Sequence, residues 1–218
     1  IVSTLCIRFF VNWRTAYIVP CILSLAVCIL LVSFRSEDGK PKHAVKRPVP
    51  VKSLFLWVSG IYAFVYVGIE MTVQGWLPTF WAETVPRGLV PATLITTFFW
   101  VSITAGRYLA GKIADRVGLK RYLSIVSFAT AAVASLWVLV KWEPAAYVII
   151  FAMGLLTGGI YPTMMVSTNA RFPGLTGAVT SFIATVSGFA GFVLQPVVGG
   201  IADAFGILRL PLIVAGLA

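Results

Sequence analysis

Apolar residues run along this chain in long blocks, and the polar residues are confined to short gaps between them. As helix, about 20 residues cross the roughly 30 Å of a bilayer's hydrocarbon core. Blocks of that order run from Thr15 to Phe34, Leu54 to Phe80, Leu89 to Leu109, Tyr122 to Val140, Ala145 to Val166 and Gly177 to Val198, and another begins near Ile207. Residues 1–11 are apolar as well and read as the end of a preceding helix. Between the first two blocks lies RSEDGKPKHAVKRPVPVK, Arg35 to Lys52, which is polar, Pro-rich and without a period that would fold into a packed unit. The pattern therefore predicts an all-α, polytopic transmembrane bundle in three parts: 1–34 closing one bundle, 35–52 as a linker, and 53–218 as a second bundle. One stretch breaks the pattern from inside a block. YVGIEMTVQGW, Tyr66 to Trp76, carries Glu70, a carboxylate that is expensive in hydrocarbon.

Composition agrees with a membrane protein. Hydrophobic residues make up 59% of the chain and charged residues 11%, and the mean hydropathy is +0.96, more apolar surface than one soluble core can hide. The 17 Lys and Arg outnumber the 7 Asp and Glu, but they sit in the gaps and form no basic face, which argues for topology signals and against nucleic acid. If the linker is cytoplasmic, Arg35, Lys40, Lys42, Lys46, Arg47, Lys52, Arg107, Lys112, Arg116, Lys120, Arg121 and Arg171 fall inside, while Arg8, Arg14, Arg87, Lys141 and Arg209 fall outside. Twelve against five favours that orientation. Cys6, Cys21 and Cys28 lie in apolar surroundings without metal-ligand spacing, and His43 stands alone in the linker. No phosphate loop, nucleophile triad or metal cluster appears, so neither an enzyme nor a cofactor is expected. Ile1 is not an initiator Met and the last apolar block is cut short, so the chain reads as a piece of a longer protein, with no targeting peptide visible.

A word is repeated. GKIADRVG begins at Gly111 and GGIADAFG at Gly199, an offset of 88 residues, each after the second helix of a three-helix set. Three spans separate the copies. An odd number inverts one set relative to the other, the architecture of inverted-repeat secondary transporters.

GRYLAGKIADRVGLKR, Gly106 to Arg121, resembles the signature loop of the major facilitator superfamily at Gly111, Asp115, Arg116, Gly118, Lys120 and Arg121. The resemblance implies that the loop latches the inward-closed state. NWR at Asn12 to Arg14, the basic linker and the helices after it look like helix six, the central loop and helices seven to twelve of a twelve-helix facilitator. YVGIEMTVQGWLPTFW and GLLTGGIYPTMMVSTNARFPG look most like the fucose permease group of proton-coupled sugar symporters. The resemblance implies alternating-access transport of a monosaccharide, with H+ as coupling ion, by a monomer in the plasma (inner) membrane.

The residues point the same way. Tyr62, Tyr66, Glu70 and Gln74 recur every four positions and share one slowly turning helix face, polar and aromatic as sugar recognition requires. Glu70 doubles as the proton-coupling candidate. Thr157, Tyr161 and Asn169 form a second stripe, where Tyr161-Pro162 should break the backbone near the midplane, and Asn169 could instead serve a helix terminus. Gly-rich Thr176 to Gly200 reads as a close-packing helix in which Gln195 is a weaker polar candidate. The rival readings are efflux of amphipathic cations with Glu70 as counter-charge, and a non-transporting receptor or scaffold on the same fold.

Overall fold

The computed structural model describes residues 15–33, 49–85, 92–140 and 142–218. Helix dominates these residues and no strand occurs among them. The expected linker from 35 to 52 lies mostly outside the described residues, as do residues 1–11, Asn12 to Arg14, Cys6, His43, Arg87 and Lys141. The chain divides into two units, 1–46 and 47–218. In the first, α1 (Thr15–Ser33) is apolar throughout and keeps Pro20 one turn inside its start.

The second unit holds α2 (Leu54–Thr84), α3 (Ala92–Val117), α4 (Leu119–Leu139), α5 (Glu143–Gly158), α6 (Ile160–Arg171), α7 (Thr176–Phe205), a 3-10 turn (Ile207–Arg209) and α8 (Leu210–Leu217). The apolar blocks thus become helices that overrun their predicted ends by a turn or two, as polar end residues continue the hydrogen-bond ladder. Leu54–Thr84, Leu119–Leu139, Glu143–Arg171 and Thr176–Phe205 are long and apolar enough to cross a membrane. Helix α3 matches them in length but is diluted by Thr96, Thr97, Ser102, Thr104 and Arg107. Large apolar side chains such as Phe128 and Phe192, each 79% exposed, cover the outside of the unit, which suits lipid and not water.

Helices α5 and α6 form one span with an interruption. Pro162 has no N–H to give to the carbonyl four residues back, that of Gly158, and the helix pauses at Gly159 (φ −86°, ψ −14°). The expected break is therefore present, three residues before the proline.

The two three-helix sets exchange partners. Helix α2, first of the first set, packs most extensively on α7, second of the second set, and α3 packs correspondingly on α5. The α3–α5 contact is the closer. A Cβ on Gly106 would strike the Leu155 carbonyl, and one on Gly158 the Ile103 carbonyl, so the two backbones lie directly against each other. The glycines of α7, expected to be the close-packing set, contribute less: Gly177, Gly188 and Gly200 face open space, while Gly68 of α2 receives Leu194. Toward one end of the unit the core is aromatic, with Phe80 edge-on to Trp137 at 5.4 Å and Trp81 tilted against Tyr147 at 4.8 Å. Two smaller clusters, around Tyr66–Tyr122 and around Leu56–Ile183, fill the other end.

The repeated word occupies equivalent turns. Helix α3 ends at Val117 and α7 at Phe205; the glycine that follows each bonds back to an alanine carbonyl, Gly118 to Ala114 at 2.9 Å and Gly206 to Ala202 at 2.8 Å. The chain then enters α4 directly after Gly118, and α8 by way of the 3-10 turn after Gly206.

Candidate functional site

Glu70 lies near the middle of α2, and its partner is on α3. Arg107 Nη2 stands 3.7 Å from Glu70 Oε1, the one ion pair found among the described residues. Arg107 is therefore not one of the loop charges that set topology. It lies ten residues before the end of α3, inside the span, and the count of inner basic residues falls from twelve to eleven. Eleven against five still favours the same orientation. The pair is asymmetric in burial: the Glu70 side chain is 12% exposed and that of Arg107 49%. At 3.7 Å the contact is longer than the 2.7–2.9 Å or so of a charge-assisted hydrogen bond, so the guanidinium keeps donors free.

Tyr66, one turn before Glu70, is 3% exposed. Its hydroxyl is buried without a hydrogen bond of good geometry, and Glu70 and Arg107 are its charged neighbours. Its ring tilts at 31° against that of Tyr161 on α6, with centroids 5.9 Å apart. Tyr66, Glu70, Arg107 and Tyr161 thus gather where α2, α3 and α6 meet. Gln74, a turn beyond Glu70, is half-buried.

Not every predicted residue joins them. The stripe on α2 drifts by about 40° per four residues, so its members meet different helices. Tyr62 turns to α4, where its hydroxyl and that of Ser127 lie 2.6 Å apart. It borders a largely apolar cavity of about 330 Å³ with Val65, Tyr66, Ile69 and Thr130. It also borders one of about 340 Å³ with Ser59, Lys120, Ser124 and Thr168. Neither cavity is lined by Glu70 or Arg107. Thr157 is buried and gives its hydroxyl to the Met153 carbonyl of its own helix at 2.7 Å. Asn169 donates from Nδ2 to Thr180 Oγ1 on α7 at 3.2 Å, and so ties α6 to α7 near a helix end.

Gln195 of α7 stands 88 residues after Arg107, the offset of the repeated word, and donates from Nε2 to the Met71 carbonyl of α2 at 2.6 Å. Equivalent positions in the two sets thus both send a polar side chain to the middle of α2. The one signal in the sequence that could have singled out Arg107 is this register: a cation ten residues before the end of the signature helix, opposite a mid-span acid.

Of the signature residues, Gly111, Asp115 and Arg116 lie in the last two turns of α3, Gly118 is the whole connection, and Lys120 and Arg121 open α4. Asp115, Arg116, Lys120 and Arg121 are exposed, and Asp115 has no ion-pair partner among the described residues.

The sequence profile of the Major Facilitator Superfamily matches residues 1–196. Bypass of stop codon protein 6 from Saccharomyces cerevisiae is 25% identical over 172 residues, covering 74% of this chain and 34% of that protein. Protein TsgA homologs of Yersinia pestis and Yersinia pseudotuberculosis are 25% identical over 200 residues, covering 87% of this chain and 49% of theirs. The chain therefore spans between a third and a half of the length of these curated relatives. No solved structure matches it.

Proposed function

Because the chain belongs to the Major Facilitator Superfamily, we propose that it forms the carboxy-terminal half, with one preceding helix, of a secondary active transporter working by alternating access. The solute is a small polyhydroxy compound of the monosaccharide class, and H+ is the coupling ion, as in the fucose permease group that the chain resembles. The observation that carries this reading is the Glu70–Arg107 pair at mid-span beside Tyr66 and Tyr161. A carboxylate and a guanidinium offer acceptors and donors to hydroxyls, and the tyrosine rings offer an apolar face for a sugar ring. Ionised side chains at that depth are costly unless they serve a pathway or each other. Efflux of amphipathic cations loses its support, because Glu70 already has a counter-charge in Arg107.

Uptake of labelled monosaccharides by the full-length protein in proteoliposomes, with and without an inward proton gradient, tests the reading. Accumulation that needs the gradient, and is lost in Glu70→Gln while exchange persists, supports Glu70 as the coupling residue. Loss of both accumulation and exchange makes it a binding residue. Transport and accumulation by Glu70→Gln equal to the parent would leave the carboxylate a structural role only.

A further inference from the structure

Where α3 hands over to α4, a cavity of about 400 Å³ is bordered by Gly118, Lys120 and Arg121 and, from α6, by Ser167. Gly118 has no side chain to fill it. The cavity of about 340 Å³ described above shares Lys120 and Ser167 with it, and runs on between α2, α4 and α6 past Phe55, Leu123 and Met164. The two form one site with two lobes. One lobe carries a pair of cations, and the other is mostly apolar with a few hydroxyls.

Those cations lack local partners. Lys120 and Arg121 are exposed, and neither forms an ion pair among the described residues; Asp115, the acid nearest to them in sequence, pairs with neither. No acid lines either lobe. Three other cations toward helix ends rest on an aromatic ring instead: Lys112 lies 4.4 Å from the centre of the Tyr108 ring, Arg171 4.4 Å from that of Phe55 and Arg209 5.1 Å from that of Phe205. Lys120 and Arg121 also stand in the first turn of α4, where the helix dipole disfavours cations and no acid offsets them. A topology signal explains basic charge on this side of the membrane, but not why two cations border one cavity.

We infer that the two lobes hold one anionic phospholipid, its phosphate against Lys120, Arg121 and the Ser167 hydroxyl and an acyl chain along Phe55, Leu123 and Met164. An ammonium and a guanidinium side by side suit phosphate oxygens. The apolar lobe that continues from them suits hydrocarbon, which a soluble phosphate does not bring. On the orientation that the basic residues favour, this end of α4 meets the cytoplasmic leaflet, where anionic lipids concentrate and basic pockets between helices bind their headgroups. The inference is independent of the solute and of the Glu70–Arg107 pair, since neither of those residues lines the lobes.

The experiment titrates delipidated full-length protein in detergent with phosphatidylglycerol, phosphatidylcholine and inorganic phosphate, reading bound lipid by native mass spectrometry and folding by melting temperature. Phosphatidylglycerol should bind and raise the melting temperature. Phosphatidylcholine, with the same chains and phosphate but no net charge, should bind roughly tenfold more weakly. Inorganic phosphate should neither stabilise the protein nor compete. The double variant Lys120→Gln/Arg121→Gln should lose roughly tenfold in phosphatidylglycerol affinity, whereas Lys112→Gln, a nearby cation that lines neither lobe, should not. Ser124→Phe, which fills the apolar lobe, should weaken lipid binding with both cations in place. Equal binding of the two lipids, or an equal loss in Lys112→Gln, would overturn the inference in favour of diffuse surface charge. Displacement of phosphatidylglycerol by inorganic phosphate would overturn it in favour of a soluble ligand. Affinity untouched by Ser124→Phe, or no saturable lipid binding because another segment of the full-length protein fills the lobe, would overturn it as well.

Discussion

Gly118 and Gly206 stand 88 residues apart and hold one backbone conformation, φ 91° and ψ 138° in the first, φ 85° and ψ 147° in the second. Each ends the second helix of its set; Gly118 leads straight into the third, and Gly206 leads into it through the 3-10 turn Ile207–Arg209. Side chains avoid this region, whereas glycine enters it freely. The shared turn conformation accounts for the last glycine of the repeated eight-residue word, Gly118 in one copy and Gly206 in the other.

Replacing either glycine by alanine should therefore destabilise the fold by about 1–3 kcal/mol through backbone strain alone, since no atom lies near the added Cβ. Gly111→Ala, in a helix interior with equal space around it, should instead be neutral or stabilising. Thermal unfolding of the detergent-solubilised protein would read this order, and equal melting temperatures for Gly111→Ala and Gly118→Ala would contradict it.

The α3–α5 contact makes a second forecast. Gly158→Ala forces a Cβ into the Ile103 carbonyl and should cost about 1–3 kcal/mol or more as the helices separate. Gly188→Ala on α7 meets open space and should leave stability within about 0.5 kcal/mol of the parent. The fraction eluting as folded monomer after mild heating separates the two.

Two tyrosines one turn apart should respond differently. Tyr62→Phe strands the Ser127 hydroxyl and should lower stability by about 1 kcal/mol. Tyr66→Phe deletes a hydroxyl that lies beside Glu70 and Arg107 without a hydrogen bond of good geometry, so it should change stability by less than about 1 kcal/mol. If that hydroxyl is kept for the solute, the same variant binds solute more weakly. A parallel measurement of melting temperature and solute affinity checks both halves.

Asp115 is exposed and has no ion-pair partner among the described residues, and the resemblance of its loop to the superfamily signature makes it a latch candidate. Asp115→Asn should leave solute binding intact and slow turnover roughly fivefold, the effect of removing about 1 kcal/mol of bias toward the latched state. Unchanged turnover at equal expression would reduce the motif to a turn and a topology signal.

The sequence by itself determined the helices, the repeated word, the pause near Pro162 and the presence of an acid in mid-span. All of these are local: a period, a composition or a residue with a restricted backbone carries each one within a few turns of chain. What faces what was decided elsewhere. Arg107 lies 37 positions from Glu70 and looks in the sequence like one more basic residue ahead of a loop; only the rotation of α3 against α2 brings its guanidinium to the carboxylate. The even stripe from Tyr62 to Gln74 is likewise divided among α4, α6 and α3, because a helix in a bundle meets several neighbours around its circumference. Which glycines matter also followed from packing, since Gly106 and Gly158 press backbone on backbone while Gly188, alike in sequence, touches nothing. Helix rotation and interhelical distance are set by the sum of many side-chain contacts between distant segments, and no short window of sequence contains that sum.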